Sequence, residues 1–534
     1  MHSSRFNPLL KAALLGLVAI TLAPGLGAAP FDLANATIAD VEAAMANGSL
    51  TSVALTEAYL ARIAAYDQQG PALNAVIALN PKALETAKAL DAERKAGKIR
   101  GPLHGIPVVL KDNYNTFDLP TTAGSQLLQG SIPPADAFVV KKLRDAGAII
   151  LAKVNLSEFA GGGGGGGSGG AGGYSSMGGQ TRNPHDPTRG VTGSSGGTGA
   201  AIAAVFAQFG MGTDTGGSIR HPTSVNGIVG LKPTWGLLSR SGIVPLALSF
   251  DTGGPMARSV TDIAIALGVM TGVDPTDAAT KGSAGNFKKD YTAYLKRGSL
   301  KGARIGVERD FFGQNAGTDQ VMETAIAKLK ELGATVVDPI HYPEYFLQAK
   351  QALSPLIMNA EFKAQIAVYL ATLKPGFPRT LSELVAKAED PATGYRSPSK
   401  RDGLKKIDET ALSLTDPVYL AAHDEGLKLI RATVLAEFAK YNLDALVYPT
   451  SSEPAETIQP PDTPAPPRVS GRNLANETGF PDLIVPAGMT SEGLPVTISF
   501  VGKAFSEPKL LAYGYDFEQA TMARVLPKYT PLLP

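Results

Sequence analysis

Hydrophobic and polar positions along this chain fall into blocks that switch between the helical and the strand period. Residues 39–45 and 53–65 carry apolar side chains at helical spacing, the second block opened by Thr51 or Ser52 as N-cap. Asn80-Pro81 reads as a cap followed by a first-turn proline, starting a helix that runs to about Ala96 and stops at Gly97. Residues 105–113 form an apolar strand of the kind buried on both faces, yet it ends in Lys111. A lysine there is either a snorkelling edge residue or a working one. A helix over 136–146, with Val139, Val140 and Leu143 inward, closes at Gly147, and 148–152 is the next buried strand. Helices are predicted at 258–271 and 319–332, the latter ended by Gly333, and strands at 303–307 and 334–337. From about 341 to 441 the pattern is helical and more charged, which suggests a cap. Strands at 443–447 and 494–501 bracket a proline-rich loop at 460–467, and 506–520 makes a last helix. This alternation predicts an α/β/α sandwich: a mixed, largely parallel twisted central sheet flanked by helices. No internal repeat and no clean linker divides residues 30–534, which are expected to be one domain.

The pattern fails between Val191 and Pro233. Two glycine-flanked serine clusters stand there, Gly193-Ser194-Ser195-Gly196-Gly197 and Gly212-Thr213-Asp214-Thr215-Gly216-Gly217-Ser218-Ile219-Arg220. Residues 200–211 between them are uncharged and rich in small side chains, predicting a helix at the buried centre of the domain. Glycine beside serine lets the backbone turn tightly and expose N–H groups, the requirement of an oxyanion site. Residues 161–173 are nearly all glycine and predict a flap beside the site, not a stable element.

Composition narrows the compartment and the chemistry. The 534 residues are 44% hydrophobic and 18% charged with a net charge of +1, which gives no electrostatic case for nucleic acid or acidic membranes. Arg5 and Lys11 precede an apolar run over 12–23 and the small residues up to Ala28-Ala29. That order reads as a signal peptide over 1–29, too short to span a bilayer comfortably, and predicts an exported protein, periplasmic or secreted. No later uncharged apolar run approaches about 20 residues, so no membrane contact is expected after signal removal. There is no cysteine, which removes disulfides, thiol nucleophiles and cysteine metal sites together. Sequons at Asn35, Asn47, Asn155 and Asn476 are adequately explained by chance.

Three serine chemistries compete. Gly193-Ser194-Ser195-Gly196-Gly197 formally matches the G-x-S-x-G elbow with Ser195 as nucleophile, but residues 183–190 before it are a loop, not the required strand. Among later histidines, His221, His341 and His423, none has a recognisable setting. S-x-x-K occurs at Ser397–Lys400 and Ser506–Lys509 without its companion motifs. The third choice makes Lys111 the base. A neutral lysine is required, its pKa falling from about 10.4 to roughly 7 at a cost of about 4–5 kcal/mol, which full burial can supply.

With that third choice the chain resembles the amidase signature family. The likeness rests on Gly105-Ile106-Pro107 through Lys111-Asp112, the two serine clusters, Gly230-Leu231-Lys232-Pro233-Thr234, Asn155-Leu156-Ser157-Glu158-Phe159, 179–184 and Gly479-Phe480-Pro481. It runs from about residue 35 to the end, and the layout is most similar to exported bacterial peptide amidases. The resemblance implies the family fold, with Ser218 as nucleophile, Ser194 as bridging serine and Lys111 as base. A cis peptide before Ser194 is implied too. Backbone N–H groups of Thr215, Gly216 and Gly217 would form the oxyanion hole. Asp112, Ser195, Asp214 and Arg220 are supporting: Ser195 a structural hydroxyl, Asp112 an anchor of the lysine loop, Asp214 and Arg220 a brace for the turn. His221 is read as a pocket wall or solvent-facing. The expected activity is amide hydrolysis without cofactor or metal, by a monomer or homodimer, on a small-molecule or peptide amide. Aryl amides, carbamates and esters remain alternatives. So does an inactive relative that binds amides or peptides. The glutamine amidotransferase component that works on charged tRNA shares the motifs, but the signal peptide argues against it, since that work is cytosolic and needs partner subunits.

Overall fold

The strands form where apolar residues run unbroken, because only a strand buried on both faces uses such a run. In the computed structural model, which describes residues 31–164, 172–460 and 474–533, they are β1 (Val76–Leu79), β2 (Pro107–Lys111), β3 (Ile149–Val154), β4 (Tyr174–Ser175), β5 (Gly179–Gln180), β6 (Phe209–Asp214), β7 (Val229–Lys232), β8 (Thr252–Ala257), β9 (Arg304–Glu308), β10 (Thr335–Ile340), β11 (Ala445–Pro449), β12 (Asp482–Met489) and β13 (Pro495–Val501). β4 and β5 pair with each other. The other eleven make one sheet in the order β1-β3-β2-β6-β8-β7-β12-β13-β11-β9-β10. It is mixed: β3, β2 and β6 run parallel on one flank, β11, β9 and β10 on the other. The strands from β8 to β13 between these flanks pair antiparallel. Helices cover it, Val260–Met270 lying on β7 and β8 and Glu507–Thr521 on β12.

Most predicted elements form where the pattern put them, with exact ends set by caps. Thr51 caps Ser52–Tyr66 by accepting the Ala54 N–H, and Asn315 starts Ala316–Glu331 one turn earlier than expected by accepting from Thr318. Two expectations need correction. Residues 200–211 are not one helix: the helix is Gly196–Ala203, and from Phe209 the chain is strand β6. Small residues fit both forms, and pairing with β2 and β8 decides for strand. Asn80 does not cap a helix directly; its Oδ1 accepts from Lys82 N in a turn, and the helix begins at Ala83.

The region from about 341 is helical as expected, in Glu344–Leu370, Leu381–Glu389, Pro398–Thr410 and Leu427–Lys440. The first three of these helices share a core with residues beside the sheet: Phe362, Ile366, Leu384 and Leu404 pack with Leu127, Phe159 and Ala160. The predicted signal segment, residues 165–171 of the glycine flap and 461–467 of the proline-rich loop lie outside the described residues. Among the described residues no helix is long and apolar enough to cross a membrane.

Candidate active site

Every residue of β2 is buried, Lys111 completely. Parallel neighbours on both sides carry its tip into the sheet interior. There Lys111 Nζ donates to Ser194 Oγ at 2.7 Å and Thr213 Oγ1 at 2.7 Å, and lies 3.4 Å from Thr213 O. Asn113 Nδ2 donates to the same threonine hydroxyl at 3.0 Å. Burial lowers the amine to about 7, although Asp214 and Asp251 pull it upward. An amine so placed is uncharged for part of its time at neutral pH and can accept a proton from a hydroxyl.

The Gly193–Ser194 peptide is cis. Ser194 O accepts from Ser157 N at 2.9 Å, and the next residue, Ser195, donates its N–H to Ser218 O at 3.0 Å. That bond brings the two serine clusters together. Ser195 Oγ donates to Thr213 O at 3.1 Å and accepts from Thr213 N at 3.2 Å, so it is fastened to β6. The helix that follows must pass close to the 155 loop: at Gly197 a Cβ would run into the backbone of Asn155. Ser218 is 5% exposed. Among the described residues no hydrogen bond joins the hydroxyls of Ser194 and Ser218.

The turn from β6 to Ser218 is built around Asp214. Its Oδ1 accepts from Gly217 N at 2.7 Å and Asn476 Nδ2 at 2.9 Å; its Oδ2 accepts from Ile219 N at 2.9 Å and Arg220 N at 3.3 Å. Gly217 has φ +101°, which a side chain would resist. Arg220 pairs with Asp214 at 3.2 Å and Asp482 at 3.3 Å and donates to Asn476. Burial alone would raise the Asp214 carboxyl; Arg220 and the N–H donors overcome this and hold it well below the carboxylate range. This bears on the expected oxyanion set of Thr215, Gly216 and Gly217: the Gly217 N–H is already donated to Asp214.

The other predicted residues also have definite places. Asp112 accepts from Thr122 N at 3.1 Å and from the Thr122 hydroxyl and pairs with Lys153 at 3.1 Å, fixing the loop after β2. His221 sits in the helix Arg220–Val225 and is buried, so the solvent-facing alternative does not hold. The Nζ amines of Lys400 and Lys509 in the S-x-x-K matches donate to Gly162 O and Asp444, not to the hydroxyls of Ser397 or Ser506. His341 bonds Asp310, and His423 bonds Ser249 and Asp424.

Sequence reasoning missed several residues of this cluster. Thr213 and Asn113 stand inside motifs already singled out. Asn476, dismissed as a chance sequon, is buried against Asp214 and Arg220. Asp251 has no motif around it and is found only in space. Among the described residues no group of acidic or histidine side chains could hold a metal ion.

The amidase family model matches residues 54–511. Native peptide amidase from Stenotrophomonas maltophilia superimposes with a TM-score of 0.86 at 42% identity, covering 94% of this chain and 100% of that one. A glutamyl-tRNA(Gln) amidotransferase subunit from Thermoanaerobacter pseudethanolicus is 36% identical over 510 residues, 93% of this chain and 99% of its own length. A probable amidase of Arabidopsis thaliana is 34% identical over 509 residues, 93% of this chain and 92% of its own. With this fold, these motifs and that coverage, the chain belongs to the amidase signature family and is an enzyme acting on carbon–nitrogen amide bonds.

Proposed function

We propose that the chain is a serine hydrolase of C-terminal peptide amides, forming an acyl-enzyme on Ser218. The observation that carries this is the buried contact of Lys111 Nζ with Ser194 Oγ, in a segment whose backbone is bonded to that of Ser218. Neutral Lys111 takes the Ser194 proton, and Ser194 takes that of Ser218 as its oxygen attacks the amide carbon. The oxyanion is received by backbone N–H groups of the turn that leads to Ser218. Ser194 then protonates the leaving nitrogen and recovers its proton from Lys111, releasing the amine. Water attacks the ester through the same relay and frees the acid. The choice of peptide amides is supported by the 42% identity to peptide amidase, and export by the arrangement of Arg5, Lys11 and residues 12–23.

A second reading is amide transfer to charged tRNA, favoured by the 36% identity to the glutamyl-tRNA(Gln) amidotransferase chain. One panel separates the two: an amidated dipeptide, glutamine, an anilide, a carbamate and an ester, with fluorophosphonate trapping of the serine. Release of ammonia from the amidated dipeptide, with the label on Ser218, is expected. Glutaminase activity alone would support the second reading. A folded protein inert to every substrate and to the probe would overturn both and favour a binding protein.

A further inference from the structure

Asp251 lies in the loop before β8 and is buried, yet among the described residues no basic side chain forms an ion pair with it. Its carboxylate accepts the Thr215 hydroxyl through one oxygen and the Leu246 and Ala247 N–H groups, at 2.9 and 3.1 Å, through the other. Thr215 is the residue after Asp214 in the turn to Ser218. Asp214 is gripped from one direction by Arg220 and Asn476. Asp251 grips Thr215, and Thr252 Oγ1 adds a bond to Asp214 O at 3.2 Å. Asp251, Thr215, Thr213, Asn113 and Arg240 line one small cavity.

We propose that Asp251 is a positioning residue of the acyl-transfer site: it fixes the Thr215 end of the oxyanion turn and sets a negative charge against Lys111. The proposal rests on the reading of Lys111 as base. Burial raises the Asp251 carboxyl to about 6, so it is charged where Lys111 works. The charged groups around it are few. Lys111, on β2, feels its charge as it feels that of Asp214 on β6. Arg240, from the segment after β7, is spent on Asp277 at 2.6 and 2.9 Å. Glu361, from the long cap helix Glu344–Leu370, is bonded to Ser249 and Tyr419. Removing the Asp251 charge therefore leaves Asp214 as the main support for a charged Lys111, and the neutral amine survives to lower pH.

The test is the pH profile of kcat and kcat/KM on an amidated dipeptide for wild type, Asp251→Asn and Thr215→Val. Wild type is expected to lose activity below about pH 7; a profile without that limb would overturn the Lys111 reading itself. Asp251→Asn should lower kcat about tenfold or more with little change in KM, and move the limb about one pH unit toward acid. Thr215→Val keeps the charge and loses the tether, so kcat should fall while the limb stays. A limb present in wild type but unmoved in a folded Asp251→Asn overturns this inference alone. Should that variant not fold, Thr215→Val decides: wild-type kcat in it removes the tether.

Discussion

Two lysines at strand ends, Lys111 on β2 and Lys232 on β7, are equally buried and are both lowered by burial to about 7. Their partners differ. Lys232 Nζ donates to the carbonyls of Pro233 and Phe480, each at 2.8 Å. A carbonyl has no proton to give, so that amine can only tie segments together. Lys111 faces hydroxyls, one on Ser194. The pair shows that a depressed amine is not in itself a base. What makes one is a neighbour through which a proton can pass.

Substitution breaks the pair apart in order of effect. Ser218→Ala should abolish turnover, a loss of about 10⁵-fold or more in kcat, with the fold intact by circular dichroism. Lys111→Ala should cost about 10³–10⁴-fold, measured at saturating substrate. Lys232→Met should leave kcat within about tenfold but lower the melting temperature, since two buried carbonyls lose their donor at about 1–3 kcal/mol each. Its pH dependence sharpens the contrast. In wild type Lys232 binds fewer protons folded than unfolded between about 7 and 10.5, so its contribution to stability rises with pH across that window. The variant's deficit should accordingly be larger at pH 10 than at pH 6. A deficit independent of pH would mean that Lys232 keeps its ordinary basicity. Smallest is His221→Ala, expected to change kcat only a few-fold. Loss of all activity there, with Lys111→Ala active, would transfer the base to histidine.

The difference between these lysines was only half visible in the sequence. Strand β2 is conspicuous because a buried strand ends in a charge, and Thr213 stands in the second serine cluster. The pattern predicts helix into β6 because its small and flexible residues fit either form, and only the partners on both sides choose. The Gly217 N–H could not be assigned from its motif, since its acceptor depends on how the Asp214 side chain turns within the loop. Asn476 and Asp251 lie 258 and 33 residues from Ser218 in number but at the same turn in space. No local pattern marks such residues, because their contacts are made by chain return rather than by spacing.

The knot of Asp214, Arg220, Asn476 and Asp482 has a consequence for the order in which the enzyme comes alive. Half of it belongs to a part of the chain made long after both serines. A nascent polypeptide halted before residue 476 holds both serines and the amine but lacks the clasp that sets the turn. Premature release should thus yield silent fragments, never a half-finished and unselective hydrolase.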